Sequence, residues 1–240
     1  MIILYEEPIR IELKGSELFV NGHKHSSSIR KLQKMRDVLY SKVEASTEDD
    51  FNLYYMYRSV YSNIEMRFDV TYIPPKLLGA EYNKTYGHYH TAAEHGLAYP
   101  EVYQVLKGRA LFILQKKNSD GRVDVLAVDA HEGQVILIPP NYGHVTINPT
   151  ENEPLILSNI VFNGFESDYS DYEMNHGAAY FYTTEGMVQN TNYLVKSFNQ
   201  INAIELSVKN GFIASDLLRE FIKDPEKFRF LEKPSLLFKK

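Results

Sequence analysis

The sequence predicts an all-β core, a sandwich or barrel of many short strands, with an N-terminal and a C-terminal extension that include short helices. Three observations predict it. From about Asn63 onward, short apolar segments follow one another closely, with turn signals between them at Lys107-Gly108, Asp120-Gly121 and Glu132-Gly133. Met66, Phe68, Val70 and Tyr72 alternate with Arg67, Asp69 and Thr71, the period of a strand with one buried face. The aromatic complement, 18 Tyr and 13 Phe with no Trp, suits pleated surfaces.

Residues 1–60 read as an N-terminal arm and helix. Ile2-Ile3-Leu4 and Leu18-Phe19-Val20 are short strands separated by a break at Gly15-Ser16. Ile29, Leu32, Met35 and Leu39 recur at spacings of three and four, which predicts a helix from Ser28 to about Tyr40, capped by Ser26, Ser27 or Ser28. Residues 44–52 are polar and acidic and read as a loop. Residues 61–185 hold the β core. The Met66–Tyr72 strand stops at Pro74-Pro75, and further strands are expected at 86–90, 101–106, 110–116, 123–128, 134–138, 144–148 and 155–162. A polar, tyrosine-rich loop follows Phe165, and Ala178 to Tyr182 forms another strand. Residues 186–240 form the C-terminal extension. Its helix runs from Asp216 to about Lys223, capped by Ser215 or Asp216 and stopped by Asp224-Pro225.

The 240 residues, 44% of them hydrophobic, are enough to bury one large core. The formal net charge of -5 is spread along the chain, with no basic patch for nucleic acid and no polybasic membrane anchor. No apolar run approaches the ~20 residues of a bilayer-spanning helix. The N-terminus lacks the basic flank of a signal peptide. The absence of cysteine excludes disulfides and thiolate zinc sites. These features suit a cytoplasmic protein with no nucleic-acid or membrane partner.

One set of residues carries chemistry. His88 and His90 are two apart in a predicted strand and share a face. Glu101 opens a later strand, on one face with Tyr103 and Val105, and His144 opens a third. If those faces turn inward, three imidazoles and one carboxylate converge. Such a set suits one Fe(II), Mn(II), Zn(II) or Ni(II) ion and leaves coordination positions open. His23, His25, His95 and His131 lie in polar stretches and read as solvated.

Spacing adds to this. Glu101 is followed by six residues and then Gly108. Gly133 is followed by five residues and Pro139, then by His144 and Asn148. This resembles the two motifs of the cupin superfamily, whose fold is a double-stranded β-helix, or jelly-roll, barrel. Two departures stand out. The stretch between His90 and Glu101 is longer than the general pattern and reads as a loop insertion. Glu94 sits nearer the usual spacing, but no glycine follows it seven residues on, so Glu101 is the preferred acid. Asn141 replaces the second motif's central glycine and tolerates the same left-handed backbone.

The segments Lys84-Thr85-Tyr86-Gly87-His88-Tyr89-His90, Tyr99-Pro100-Glu101-Val102-Tyr103 and His176-Gly177-Ala178-Ala179-Tyr180-Phe181 are similar to the cupin-type glucose-6-phosphate isomerases of archaea and some bacteria. The similarity spans roughly residues 35–185. It implies metal-dependent interconversion of glucose 6-phosphate and fructose 6-phosphate, a step of glycolysis and gluconeogenesis, by a cytoplasmic homodimer. His88, His90, Glu101 and His144 match the metal ligands, with Fe(II) the leading expectation. Thr85 and Gly87 match positions near the substrate phosphate and Thr71 is a further candidate from the preceding strand; the Lys84 ammonium is a candidate to hold the dianion by its charge, and Tyr169 falls in the substrate-closing segment, with Tyr172 as its alternative. Glu101 is implied as the base, and His176 and Tyr180 as further catalytic groups. A base-mediated enediol route and a hydride shift both remain open. A cupin dioxygenase and a non-catalytic sugar-phosphate-binding cupin are the competing readings.

Overall fold

In the computed structural model residues 1–41 and 50–238 are described, so residues 44–49 of the expected polar loop lie outside the described residues. The chain opens with an antiparallel meander of β1 (Ile2–Tyr5), β2 (Ile11–Lys14), β3 (Glu17–Val20) and β4 (His23–Lys24). Then come β5 (Ser28–Lys31), β6 (Asn52–Ser62) and β7 (Met66–Ile73), followed by short strands β8 (Leu77–Leu78), β9 (Glu81–Tyr82), β10 (Tyr89–His90), β11 (Ala92–Glu94) and β12 (Leu97–Ala98). The longer strands β13 (Glu101–Lys107), β14 (Arg109–Lys117), β15 (Val123–His131), β16 (Val135–Ile138), β17 (Gly143–Ile147) and β18 (Leu155–Phe162) complete the central run. After β19 (Ser167–Asp168) and helix α1 (Ser170–Met174) come β20 (Tyr180–Thr183), β21 (Gly186–Gln189) and β22 (Val195–Asn202). Helices α2 (Ala203–Asn210) and α3 (Leu217–Lys223) follow.

Two large sheets form the core. One has six antiparallel strands in the order β16-β13-β18-β7-β6-β5, and the other has four in the order β17-β14-β15-β22, with β22 parallel to β15. Among the described residues they remain separate sheets and do not close into one hydrogen-bonded ring. Tyr103 and Val105 of β13 and Leu157 of β18 pack with Phe112 of β14 and Val145 of β17, so the sheets share one core. β22 falls within the expected C-terminal extension and supplies the fourth strand of that second sheet.

The other face of the six-stranded sheet is covered as well. Phe68 and Val70 of β7, Val102 of β13 and Ile160 of β18 form a second cluster with Ile11, Leu13 and Leu18 of the N-terminal meander and with Leu217, Leu218 and Phe221 of α3. Each fully buried side chain of this size contributes roughly 1.5–3 kcal/mol. Gln104 joins both extensions to the sheet. Its Oε1 accepts from the Tyr5 hydroxyl at 3.3 Å and from Leu217 N at 3.0 Å, and its Nε2 donates to Ser215 O at 2.7 Å.

The helix expected over 28–40 does not form. Residues 28–31 pair with β6, and two single 3-10 turns follow, Leu32–Lys34 and Arg36–Val38. Leu32, Met35 and Val38 are fully buried while Ile29 is 45% exposed. A spacing of three suits a 3-10 turn as well as an α-helix, and strand pairing captures Ile29. α3 forms as expected, with the Asp216 side chain accepting from Arg219 N and with Pro225 beyond its end. α2 was not expected, although Asn202 and Glu205 form a capping box and Gly211 ends the helix in the left-handed conformation.

Candidate metal centre

The lead-in segment 84–88 runs antiparallel to β17, with bridges between Lys84 and Ile147 and between His88 and His144. His90 lies in β10, Glu101 opens β13 and His144 belongs to β17. One donor atom from each of these four side chains lies within 4.8 Å of the others. Glu101 Oε2 is 3.2 Å from His90 Nε2 and 3.4 Å from His144 Nε2, and the Nε2 atoms of His88 and His90 are 3.2 Å apart.

The stretch between His90 and Glu101 is a hairpin of β11 and β12 turning at His95-Gly96, both left-handed. Glu94 lies on this hairpin and accepts from Ser235 N at 3.0 Å, so it serves the C-terminal segment and Glu101 supplies the carboxylate. Asn141 has φ +70°. Its Oδ1 accepts from Ala98 N at 2.7 Å and its Nδ2 donates to Gly96 O at 3.1 Å. The residue that replaces the motif's glycine therefore pins the inserted hairpin.

Neighbouring groups orient the donors. His90 Nδ1 is 2.8 Å from the Tyr99 carbonyl oxygen. A carbonyl only accepts, so Nδ1 carries the proton and the Nε2 lone pair faces the cluster. Asn159 Nδ2 donates to Glu101 Oε1 at 2.7 Å, whereas the buried Oε2 has no hydrogen-bond partner. The Tyr103 hydroxyl lies 3.2 Å from His144 Nε2.

Protonation follows from burial and mutual charge. Burial, and then the neighbouring His144 and His90, hold the His88 imidazole well below its ordinary value, with smaller effects from Arg58 and Arg30. Burial lowers His144 to about 4, against an opposing pull from Glu101. Burial raises the Glu101 carboxyl, but His90 and His144 outweigh it and leave its pKa below the usual value. The lowered His88 and His144 favour neutral imidazoles there, beside a carboxylate that favours its ionised form, so this part of the cluster is rich in lone pairs and poor in protons. The unpartnered Oε2 and this donor set fit a divalent cation.

The cluster lies at one wall of a cavity between the sheets. β6 contributes Tyr54, Met56 and Arg58, and β7 contributes Arg67, Asp69 and Thr71. Each trio is spaced by two, so the polar half of the β7 alternation faces this cavity while Phe68 and Val70 face the opposite core. Phe165 and Tyr169 also line it; the Tyr169 ring lies 5.6 Å from His88 and edge-on to Tyr86 at 5.3 Å.

The structure brings Thr71, Thr85, Gly87 and Tyr169 to the cavity with His88, Glu101 and His144, and His90 joins these three donors from behind the lining. Thr85 Oγ1 accepts from Thr146 N at 2.9 Å, which leaves its O–H free to donate. Gly87 has φ +89°, and a Cβ there would meet Tyr172 and Val145 at 2.5 Å. Tyr172 is fully buried beneath that glycine, so of the two tyrosines Tyr169 faces the cavity.

Three expected residues are placed elsewhere. Lys84 is 1% exposed; its Nζ pairs with Glu81 at 2.6 Å and donates to Val38 O at 2.7 Å. The strand-like lead-in turns it away from Thr85, and the buried carboxylate captures it. His176 is exposed, with Nδ1 3.3 Å from Asp37 O. Tyr180 stacks on Phe198 with ring centroids 4.3 Å apart, because β20 pairs with β9 and β21 away from the cavity. Sequence reading passed over Tyr54, Arg58 and Asn159, and it placed Tyr103 on the face of Glu101 without giving it a role. The period of two from Glu101 gives Tyr103; Asn159 and Arg58 needed the strand register.

Two facing sheets with three imidazoles and a carboxylate gathered between them define a protein of the cupin class. A family model described as Glucose-6-phosphate isomerase (GPI) matches residues 30–196, more than half of the chain. The chain belongs to the glucose-6-phosphate isomerase family. A glucose-6-phosphate isomerase of Pyrococcus abyssi is 27% identical over 159 residues, covering 64% of this chain and 78% of that protein. One from Thermococcus onnurineus is 31% identical over 93 residues, covering 39% of this chain and 44% of that protein. Among solved structures, an oxalate decarboxylase variant of Bacillus subtilis is similar at a TM-score of 0.33 and 15% identity, over 47% of this chain and 26% of that chain.

Proposed function

We propose that this protein interconverts glucose 6-phosphate and fructose 6-phosphate and depends on one divalent metal ion, Fe(II) or Mn(II). The observation that carries this reading is the convergence of His88, His90, Glu101 and His144 in a polar cavity of a chain from this family. His88, His90 and His144 would hold the ion through Nε2, with Glu101 Oε2 as the fourth donor. A bound ion would supply Lewis-acid polarisation of the sugar carbonyl.

The chain's own residues account for the remaining work. Thr71, Thr85 and the backbone at Gly87 receive the phosphate end. Tyr169, whose ring lies 5.6 Å from His88, shields the reacting end from water. Glu101, fixed through Oε1 by Asn159, takes the proton from C2 of the open-chain aldose and returns it to C1 through a cis-enediol, while the hydroxyl proton passes from O2 to O1. The test is a coupled assay from fructose 6-phosphate on protein stripped with a chelator and then reloaded with Fe(II) or Mn(II). Turnover lost on stripping and restored on reloading is the expected result. Undiminished turnover in verified metal-free protein would reject the metal dependence, and no turnover after verified reloading would reject the isomerase.

A further inference from the structure

We propose that Arg58 is a substrate-specificity residue, the cation that receives the phosphate dianion at the mouth of the cavity. This rests on the isomerase reading above, and it assigns a residue to which the expected lysine does not reach. A sugar phosphate carries roughly two negative charges at neutral pH. Lys84, the cation of the lead-in segment, is committed to Glu81 in the interior. Arg67 lines the cavity, but its Nε donates to Asp69 Oδ2 at 2.8 Å and its guanidinium lies over the Phe165 ring. Arg30 donates to the Tyr54 hydroxyl at 3.2 Å and sits against the Tyr86 and Tyr169 rings. Arg58 lines the same cavity, is exposed, and pairs with no carboxylate among the described residues.

The backbone shows that this placement is built. The β6–β7 register shifts between Tyr57 and Tyr61, and Ser59 sits in that irregularity with φ +56°, a conformation L-residues rarely adopt. The Ser59 N–H donates to Asp69 Oδ1 at 2.7 Å. Asp69 thus does two things: one oxygen holds the bulge beside Arg58, and the other occupies Arg67. Arg58 is left as the uncommitted guanidinium, across the strand pair from Asp69 and one side-chain step along β6 from Met56, which pairs with Thr71. A guanidinium can meet two phosphate oxygens at once, with the Thr71 and Thr85 hydroxyls left for the third.

The experiment compares wild type, Arg58→Met and Arg58→Lys in the metal-loaded full chain. It measures kcat/KM for fructose 6-phosphate, the inhibition constant of inorganic phosphate, and metal content. Arg58→Met is expected to lower kcat/KM roughly 10- to 100-fold, the range for a charge-assisted bond. It should weaken phosphate inhibition by a similar factor at unchanged metal content. Arg58→Lys should recover part of both, because it keeps the charge and loses the two-pronged geometry. Phosphate inhibition and kcat/KM within twofold of wild type in Arg58→Met would overturn the proposal. If wild type does not turn over the sugar phosphate, the isomerase reading falls. Direct titration of all three proteins with fructose 6-phosphate then decides Arg58 separately, and equal affinities would overturn it.

Discussion

The two faces of the six-stranded sheet are made by the same strands and do opposite things. On β7, Phe68 and Val70 enter a dry cluster with the N-terminal meander and α3, whereas Arg67, Asp69 and Thr71 line a polar cavity. On β13, Val102 faces the first and Glu101 and Tyr103 face the second. Because successive strand residues alternate sides, one β segment contributes both a stability surface and a chemical one. Covering the back with the extensions adds a second apolar cluster to the one the front shares with the other sheet, so the part of the front that lines the cavity can stay polar. The contrast implies that substitutions in the cavity lining change chemistry at nearly constant stability and back-face substitutions do the reverse.

The largest break in that comparison should come from Glu101→Gln. The variant keeps an oxygen for Asn159 to hold while replacing the unpartnered Oε2, so the fold should keep its hydrogen bond. Turnover should fall by roughly 10²–10⁴, the range for a lost general base. Folding free energy should change by less than about 1 kcal/mol, as for substitutions that neither open a cavity nor strand a buried group. Parallel coupled assays and denaturant titrations read the two effects; a large loss of stability would show that the two faces are not separable.

Phe68→Ala is the reverse case. Phe68 is fully buried and packs edge-on against Tyr5 with centroids 6.0 Å apart, away from the cavity. Its truncation should cost about 3–5 kcal/mol in urea or thermal unfolding. Turnover per folded molecule should stay within about twofold, because the neighbouring Asp69 and Arg67 keep their register with β18 and β6. Loss of turnover at constant folded fraction would mean that packing on the back sets the geometry of the front.

The sequence exposed these faces unevenly. The alternation in Met66–Tyr72 located β7 because a period of two is a local property. The four donors were legible for a related reason: His88, Glu101 and His144 each follow a glycine or proline whose backbone demand is also local, and His90 lies two residues from His88. Local signals failed at residues 28–40, where a spacing of three fits two helix types and pairing with β6 takes Ile29. They failed again for Lys84, His176 and Tyr180, whose directions depend on partners far away in the chain: Glu81 and Val38, Asp37, and Phe198. Arg58 carried no signal, since its aim depends on a bulge held by Asp69 on another strand. α2 differs from these, because its Asn202-x-x-Glu205 cap and Gly211 stop lay in the open.

The smallest effect should come from Asn141→Gly, at the seam between the scaffold and the site. Glycine accepts the φ of +70° without penalty, so the substitution leaves the turn before His144 intact. What it removes are two hydrogen bonds, to Ala98 N and Gly96 O, that tie this turn to the hairpin. The expected loss of stability is about 1 kcal/mol, with one hydrogen bond part-buried and the other exposed. The more telling readout is local. Amide exchange in residues 91–98 should speed up while that of β13 and β18 stays at the wild-type rate. Tyr99, whose carbonyl fixes the His90 ring, follows directly on that hairpin. Loosening the hairpin should therefore weaken metal affinity several-fold by letting the His90 imidazole turn. If exchange accelerates and metal affinity does not move, Tyr99 is held from the sheet and the inserted hairpin is free to vary without reaching the site.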